Sequence, residues 1–500
     1  MSRALRVALG ALTVLLLAEF PLLSLFTQNQ SEVELSLLWP PILWTGLGVL
    51  AFYAVLAAVM RSPARACGLA SLIVVSFFYY GTFFGDRSRW WLVPWLGVFV
   101  VLAFLVARSR RELTPLVAVL AVMGLVLVVP QAVRLGRYDS QHPGLSARDP
   151  RLWPTALAAL PATASTTSRP DIYVIVPDDY ARADVLAKYF HYDDSAFQQE
   201  LRNRGFIVSA GTRSPYSDSE SNIAALVNMD YLSRFPAVLG AKSEDVRPVK
   251  RVIEDNRAAR LLATIGYRYV HIDTDEVTFA GGNPDISPFA PPDSFDNLWL
   301  HKSVLGSFGG PLGFNQAGMD ARFRDSIRSE FAPLGNVPTG GQPNFVVFHT
   351  LLPHDPYLYG SHGQSVTFHR TTDESLSSPS GRAAYLQQLL YLNQLMLATI
   401  DRITAAHTGT PAVILIQSDE GFESADGEFG AAAALDMRVK GLTALLLPGH
   451  AGAGLPDPPN SVNDLRFVLN QVFGSNYPML PTASYPEGDY PYQFEPMKVP

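Results

Sequence analysis

Two runs of strand-forming residues in this chain each end in a pair of adjacent acids. Ile172-Tyr173-Val174-Ile175-Val176 leads through Pro177 into Asp178-Asp179, and Ala412-Val413-Ile414-Leu415-Ile416 leads through Gln417-Ser418 into Asp419-Glu420-Gly421. Carboxylates resist burial unless they are paired or bound to a cation. Open α/β sheets hold their ligands at the carboxyl ends of the strands. Two acidic pairs at such ends are what a metal site in such a sheet needs. Acids after a strand are also ordinary solvated turn residues, so neither pair decides the matter alone.

Ser214-Pro215-Tyr216-Ser217-Asp218-Ser219-Glu220-Ser221-Asn222 opens the apolar run 223–229. A serine-rich turn before an apolar helix is first an N-cap signal, here with Ser219 and with Asn222 three residues on. It also sets a hydroxyl at a positive helix end. Beside a metal such a hydroxyl loses its proton easily and attacks phosphorus or sulfur. His349-Thr350-Leu351-Leu352-Pro353-His354-Asp355-Pro356-Tyr357 follows the strand-like run 345–348. Imidazoles on a proline-stiffened loop bind metal, hold an anion or act as general acid. The plain alternative is two surface histidines in a turn. His450 follows another strand-like run and either completes the site or is solvated. His271, inside a strand pattern, reads as structural.

The elements that must position these residues alternate. Strands are expected at 171–176, 206–209, 267–272, 344–349, 412–417 and 442–447. Helices are expected at 194–204, 219–231, 248–265, 317–330, 381–405 and 462–473. Such alternation predicts an α/β domain with a mostly parallel sheet and helices on both faces. Gly205, Gly266 and Gly441 stand where helices hand over to strands, as helix-ending glycines do.

The first part of the chain is different. Five apolar segments, at roughly 5–26, 37–60, 66–85, 90–107 and 114–133, have the length to cross a bilayer. Arg3 and Arg6, then Arg61 and Arg65, then Arg108, Arg110 and Arg111 mark the cytoplasmic side; Arg87 and Arg89 run against this bias. Five crossings from a cytoplasmic N-terminus place the rest of the chain outside the cytoplasm, at the plasma (inner) membrane. The expected division is a transmembrane domain over 1–137, a linker over 138–170 rich in Pro, Ala, Ser and Thr, and an extracytoplasmic domain over 171–500. Ala162-Thr163-Ala164-Ser165-Thr166-Thr167-Ser168 reads as flexible linker, and Leu152-Trp153 as packing on the outer domain. The one cysteine, Cys67, lies at a membrane edge, so the outer domain has no disulfide. A net charge of −7 with no basic cluster outside argues against a nucleic-acid partner.

In this order, the motifs resemble the sulfatase-like branch of the alkaline phosphatase superfamily over 171–495. Asp178-Asp179 looks like its first metal strand, Tyr216-Ser217-Asp218-Ser219 through Leu232 like its nucleophile segment, and His349 through Pro356 like its substrate-loop histidines. Ser418-Asp419-Glu420-Gly421 looks like its Ser-Asp-His-Gly metal motif, and Val462-Asn463-Asp464-Leu465-Arg466 and Pro491-Tyr492 fit its close. The spans before this domain make it similar to lipoteichoic-acid synthases and phosphoethanolamine transferases. The resemblance implies phosphoryl-group transfer or phosphoester hydrolysis on a phospholipid or envelope glycan. Asp178, Ser219, Asp419 and Glu420 would hold one divalent metal, with Ser219 as nucleophile and His354 and His349 at the substrate phosphate or leaving group. The chain departs from the pattern in having no Cys-x-Pro-x-Arg, Ser219 where Thr is usual and Glu420 where His is usual. An all-oxygen ligand set favours Mn²⁺, Mg²⁺ or Ca²⁺ over Zn²⁺. The alternative is a pseudoenzyme that keeps the fold as a binding or assembly module.

Overall fold

The computed structural model describes residues 2–84, 89–142, 144–165, 169–272, 294–307, 316–368, 377–423, 429–449, 454–455, 460–486, 488–494 and 496. The chain divides into two compact units. One is Met1–Gly144 with Pro292–Phe323; the other is Leu145–Pro291 with Arg324–Pro500.

Three helices of the first unit are long and apolar enough to cross a membrane: Arg3–Gln28, Leu35–Met60 (its first turn 3₁₀) and Thr114–Gln141. The other two expected spans become shorter apolar helices, Pro63–Phe78 and Leu92–Arg108. The expected segment 66–85 breaks at Tyr79 and resumes as the short helix Tyr80–Phe84. Arg3–Gln28 and Thr114–Gln141 run side by side in the same direction. Arg6 Nη1 lies 3.6 Å from Glu112 Oε1 near their starts, and Thr27 Oγ1 donates to Gln131 Oε1 at 2.7 Å near their ends. The helix Ser294–Lys302, which no sequence pattern signals and which lies in the span expected to be outer domain, packs in this unit. Its Trp299 stacks on Phe78 with ring centroids 5.4 Å apart and packs against Leu22, Phe26 and Leu38.

The second unit holds a sheet of β1 (Ile172–Asp178), β2 (Ile207–Val208), β3 (Arg268–Ile272), β4 (Asn344–Pro353), β7 (Val413–Gln417) and β8 (Thr443–Leu446), in the order β2-β8-β7-β1-β4-β3. A two-stranded hairpin, β5 (Tyr357–Tyr359) and β6 (Ser365–Phe368), stands apart. β1 pairs parallel with β4 and β7, and β3 pairs parallel with β4; β8 is antiparallel to β7 and to β2. Every residue of β1, β4 and β7 is buried, as strands covered on both faces are. All six strands expected from the sequence are present. The helix expected over 248–265 is split into Arg247–Glu254 and Arg257–Ala263, because Asn256 accepts from Ala259 N at 2.7 Å and caps a new start. Gly205 (φ 88°) and Gly266 (φ 89°) end helices as expected. The segment expected to be linker is part of the core. Leu152, Trp153 and Ala164 are buried with Phe235 and Tyr492, and Ala162–Ser165 forms a 3₁₀ turn. Residues 166–168 of that segment lie outside the described residues.

Away from the acidic strand ends, a buried network joins the long helix Pro379–Ala406 to the start of β1. His407 Nε2 is 3.0 Å from Asp171 Oδ2, and Nδ1 is 2.7 Å from the Ile403 carbonyl. Both ring nitrogens face acceptors, which only the imidazolium satisfies fully. The hydrogen bond to Asp171 raises the His407 pKa against the opposing effect of burial. A cation with a raised folded pKa contributes all its stability below the unfolded value of about 6.5 and loses it as pH rises through the folded one. The melting-temperature difference between wild type and His407→Gln is therefore expected to be largest near pH ~5.5 and to shrink as pH rises. A difference independent of pH would show that the pair is neutral.

Candidate metal and phosphoryl-transfer site

The carboxyl ends of β1, β4 and β7, three neighbouring strands, bring the acids and one histidine together. Asp178 Oδ2 lies 3.6 Å and Asp419 Oδ2 3.7 Å from His349 Nε2. Asp178, His349 and Asp419 each offer one ligand atom within 4.8 Å of the others; so do Asp178, Asp179 and His354. Asp419 Oδ1 accepts from Glu420 N at 2.7 Å and Asp179 N at 3.3 Å, which fixes its carboxylate. Asp178 Oδ1, Asp179 Oδ1 and Asp419 Oδ2 are buried with no hydrogen-bond partner among the described residues. Orphaned buried oxygens carry a desolvation cost that a cation relieves.

The backbone around the acids is held tightly. Asp179 has φ 59°, a left-handed conformation that aspartate tolerates better than most residues. Tyr385 holds that turn, donating its hydroxyl to the Asp179 carbonyl at 2.8 Å and accepting from Ala181 N at 3.0 Å. Ser418 Oγ accepts from Tyr180 N at 3.0 Å, tying the end of β7 to the end of β1. Gly421 has no room for a side chain, since a Cβ there would meet the Met437 carbonyl at 2.0 Å. Gly441, expected to end a helix, serves a similar close approach. A Cβ there would lie 2.9 Å from the Glu420 carbonyl, and its φ is not left-handed.

Ser219 is the first residue of the helix Ser219–Asn228, but Asp218 is the N-cap, accepting from Ser221 N at 2.7 Å. The expected Ser219 cap is thus corrected: a carboxylate caps better here than a hydroxyl that already belongs to the first turn. Asn222 instead ties down the turn, accepting from Tyr216 N and donating to Tyr216 O. Ser219 Oγ is left to donate to Glu420 Oε1 at 3.4 Å. Arg438 faces Glu420 from the other side, with Nε 2.8 Å from Glu420 Oε2 and Nη1 3.2 Å from Glu423 Oε2. Arg438 Nε also donates to the Ser217 carbonyl at 2.9 Å, so one guanidinium links the turn before Ser219 to the acidic motif.

His354 Nε2 lies 4.0 Å from Asp179 Oδ2 and 3.7 Å from Glu423 Oε2. Its loop is fastened by Gln388, whose Nε2 donates to the His354 carbonyl at 2.7 Å and whose Oε1 accepts from Leu358 N at 2.9 Å. Burial pushes Asp179, Asp419 and Glu420 up from the usual carboxylate range, most strongly Asp179 and Glu420; Arg438 opposes this at Glu420. At Asp178 the imidazoles of His354 and His349 outweigh burial and hold the carboxyl low. Asp178 and Asp179 in turn raise His354 well above its usual value despite burial, and its hydrogen bond lowers Glu423 to about 2. Five carboxylates thus cluster around one guanidinium and two imidazoles.

All the expected residues, Asp178, Ser219, His349, His354, Asp419 and Glu420, lie within this set of contacts. They divide differently from the expectation. His349 stands with Asp178 and Asp419, whereas Ser219 and Glu420 face each other beside Arg438. Arg438, Glu423, Tyr385 and Gln388 join the site without a sequence signal of their own. Arg438 lies just before β8, so its place near the end of β7 follows from an antiparallel pairing that no local pattern shows. His450 lies outside the described residues.

No family model matches the chain, and no curated protein matches it. Solved structures similar to it belong to the group that its motifs resemble. One is the integral membrane protein lipooligosaccharide phosphoethanolamine transferase A from Neisseria meningitidis, with 12% identity over 89% of this chain and 88% of that one, and a TM-score of 0.36. Another is the C-terminal periplasmic domain of EcEptC from Escherichia coli in complex with Zn, with 11% identity over 64% of this chain and 87% of that one, and a TM-score of 0.39. A protein in the alkaline phosphatase superfamily from Vibrio parahaemolyticus shows 14% identity over 67% of this chain and 73% of that one, with a TM-score of 0.35.

Proposed function

We propose that this protein is a membrane-anchored, metal-dependent phosphoryl-group transferase or phosphoester hydrolase of the cell envelope, acting on a phospholipid headgroup or an envelope glycan through Ser219. The observation that carries this reading is the trio Asp178, His349 and Asp419, buried with orphaned carboxylate oxygens, while Ser219, whose hydroxyl no cap consumes, joins the same cluster through Glu420, the neighbour of Asp419. These three residues fit a divalent cation. When bound, such an ion supplies Lewis-acid polarisation and lowers the pKa of a nearby hydroxyl. The imidazole adds a nitrogen donor to the oxygens, so Zn²⁺ and Mn²⁺ both suit the set, a wider choice than an all-oxygen site allows.

Ser219 Oγ gives its proton to Glu420 Oε1, which already accepts from it, and attacks phosphorus; the bond from phosphorus to the leaving oxygen breaks, and a phosphoserine ester forms. The helix N-terminus favours negative charge at this oxygen. The His354 imidazolium gives its proton to the leaving oxygen. Arg438 sets its guanidinium where the phosphoryl oxygens gather charge. Water or an acceptor hydroxyl then releases the phosphoryl group from Ser219. The parallel course of the first and last long helices supports an odd number of crossings and an outer unit outside the cytoplasm.

The ion pair between Glu420 and Arg438 favours a second reading, a binding module whose site is closed by an internal cation. Full-length protein in nanodiscs carrying a fluorescent-headgroup phospholipid separates the two. Turnover that stops with chelator and returns with Mn²⁺ or Zn²⁺ is expected. Absence of both turnover and metal binding would establish the binding module.

A further inference from the structure

We infer that the outward end of the last long helix carries a binding site for the phosphate of a membrane phospholipid headgroup, built on Arg134 and Arg137. The apolar run of this helix ends at Val133, and the helix continues to Gln141. About 20 residues cross the hydrocarbon core, so the turns after Val133 lie at headgroup depth. There Arg134 and Arg137, three positions apart and thus on one face, line a pocket of about 380 Å³ with Gln30, Val133, Tyr138 and Gln141. That volume lies within the usual range for small-ligand sites.

Three observations point to an anion. First, both arginines are exposed and have no ion pair among the described residues; Asp139, the nearest acid in sequence, pairs with neither. Second, Gln30 Oε1 is buried without a hydrogen-bond partner among the described residues, so the pocket wall is polar and incompletely satisfied. Third, in the proposed orientation these arginines lie on the translocated side, where Lys and Arg are depleted. Arginines at a helix end that merely snorkel to water need no shared pocket. A phosphate diester accepts paired N–H donors from guanidinium, and its acyl chains would lie along the exposed apolar flank that Val126 and Val129 present.

The inference rests on the proposed membrane placement and is independent of the catalytic reading. Full-length protein in mild detergent is titrated with phosphatidylglycerol, and bound lipid is counted by native mass spectrometry. Saturable binding is expected, reduced about tenfold or more in Arg134→Gln/Arg137→Gln. Arg134→Lys/Arg137→Lys should fall between, keeping charge but losing the fork. Diacylglycerol should not bind, and millimolar inorganic phosphate should not displace the lipid. Lipid counts taken with and without chelator should agree, which separates this site from the proposed metal-dependent one. Equal binding by the Gln pair, or equal binding of diacylglycerol, would overturn the inference. Displacement by inorganic phosphate would also overturn it, in favour of a soluble-anion site.

Discussion

Replacing Ser219 with alanine is expected to lower turnover by about 10³-fold or more while leaving the outer unit folded. The two halves of that expectation come from different atoms. Catalysis loses the hydroxyl that points from the helix start to Glu420, 3.4 Å away. Stability keeps the cap, because Asp218 and not Ser219 accepts from Ser221 N. An N-cap loss costs about 0.5–2 kcal/mol, and this substitution avoids even that. Ser217→Ala and Ser221→Ala are the controls and should keep most activity; Ser221 is buried inside the first turn. Wild type trapped with its donor should carry a phosphoryl adduct on Ser219 by intact-mass and peptide mapping. Full activity in Ser219→Ala would remove the serine from the mechanism and leave a metal site without a protein nucleophile.

Metal should stabilise the fold as strongly as it supports the chemistry. Asp178 and Asp419 are each buried with an oxygen that finds no hydrogen-bond partner among the described residues, and at Asp419 burial outweighs the neighbouring imidazole, so the metal-free unit bears a charge cost there. A ligand present at 100–1,000 times its dissociation constant adds about 2.7–4.1 kcal/mol to the folded state. For a domain of this size that is roughly 4–6 °C in melting temperature. Scanning calorimetry with Mn²⁺ or Zn²⁺ and then with chelator should show a rise and its reversal. Asp419→Asn should melt at or above the metal-free wild type, because one buried charge is gone, and should show no metal-dependent rise. An unchanged melting point in wild type across both metals would count against a site at Asp178, His349 and Asp419.

The acidic strand ends are legible in the sequence because burial and charge conflict there, and the conflict is local. β1 and β7 read as apolar runs that give way to polar residues, and β4 as the run 345–348 followed by His349-Thr350. Which polar groups meet is less legible. The motif resemblance puts Glu420 on the metal, yet its carboxylate faces Ser219 and Arg438, because β8 returns antiparallel to β7 after the helix Ala431–Arg438 has set Arg438 in place. The same resemblance makes His349 a substrate residue; its place in β4, in register with Val176 of β1, puts it between Asp178 and Asp419. The split of the 248–265 helix is signalled by Asn256, a strong capping residue inside an otherwise helical pattern. The return of Pro292–Phe323 to the N-terminal helices has no comparable signal, only Leu298-Trp299-Leu300 in a polar stretch.

That return changes what the word domain means for this chain. The backbone passes between the two units at 144–145, again at 291–292 and again at 323–324. A protease that cuts once near residue 144 would not liberate the outer half, which stays fastened by two further passages. A recombinant fragment begun there would carry the helix Ser294–Lys302 without the Phe78 face on which Trp299 rests. Such a fragment is expected to be sticky in solution, and its behaviour would understate the solubility of the outer fold. An excision that removes the helix Ser294–Lys302 while keeping the helix Gln316–Leu334 whole is the one that respects how the chain is laid out.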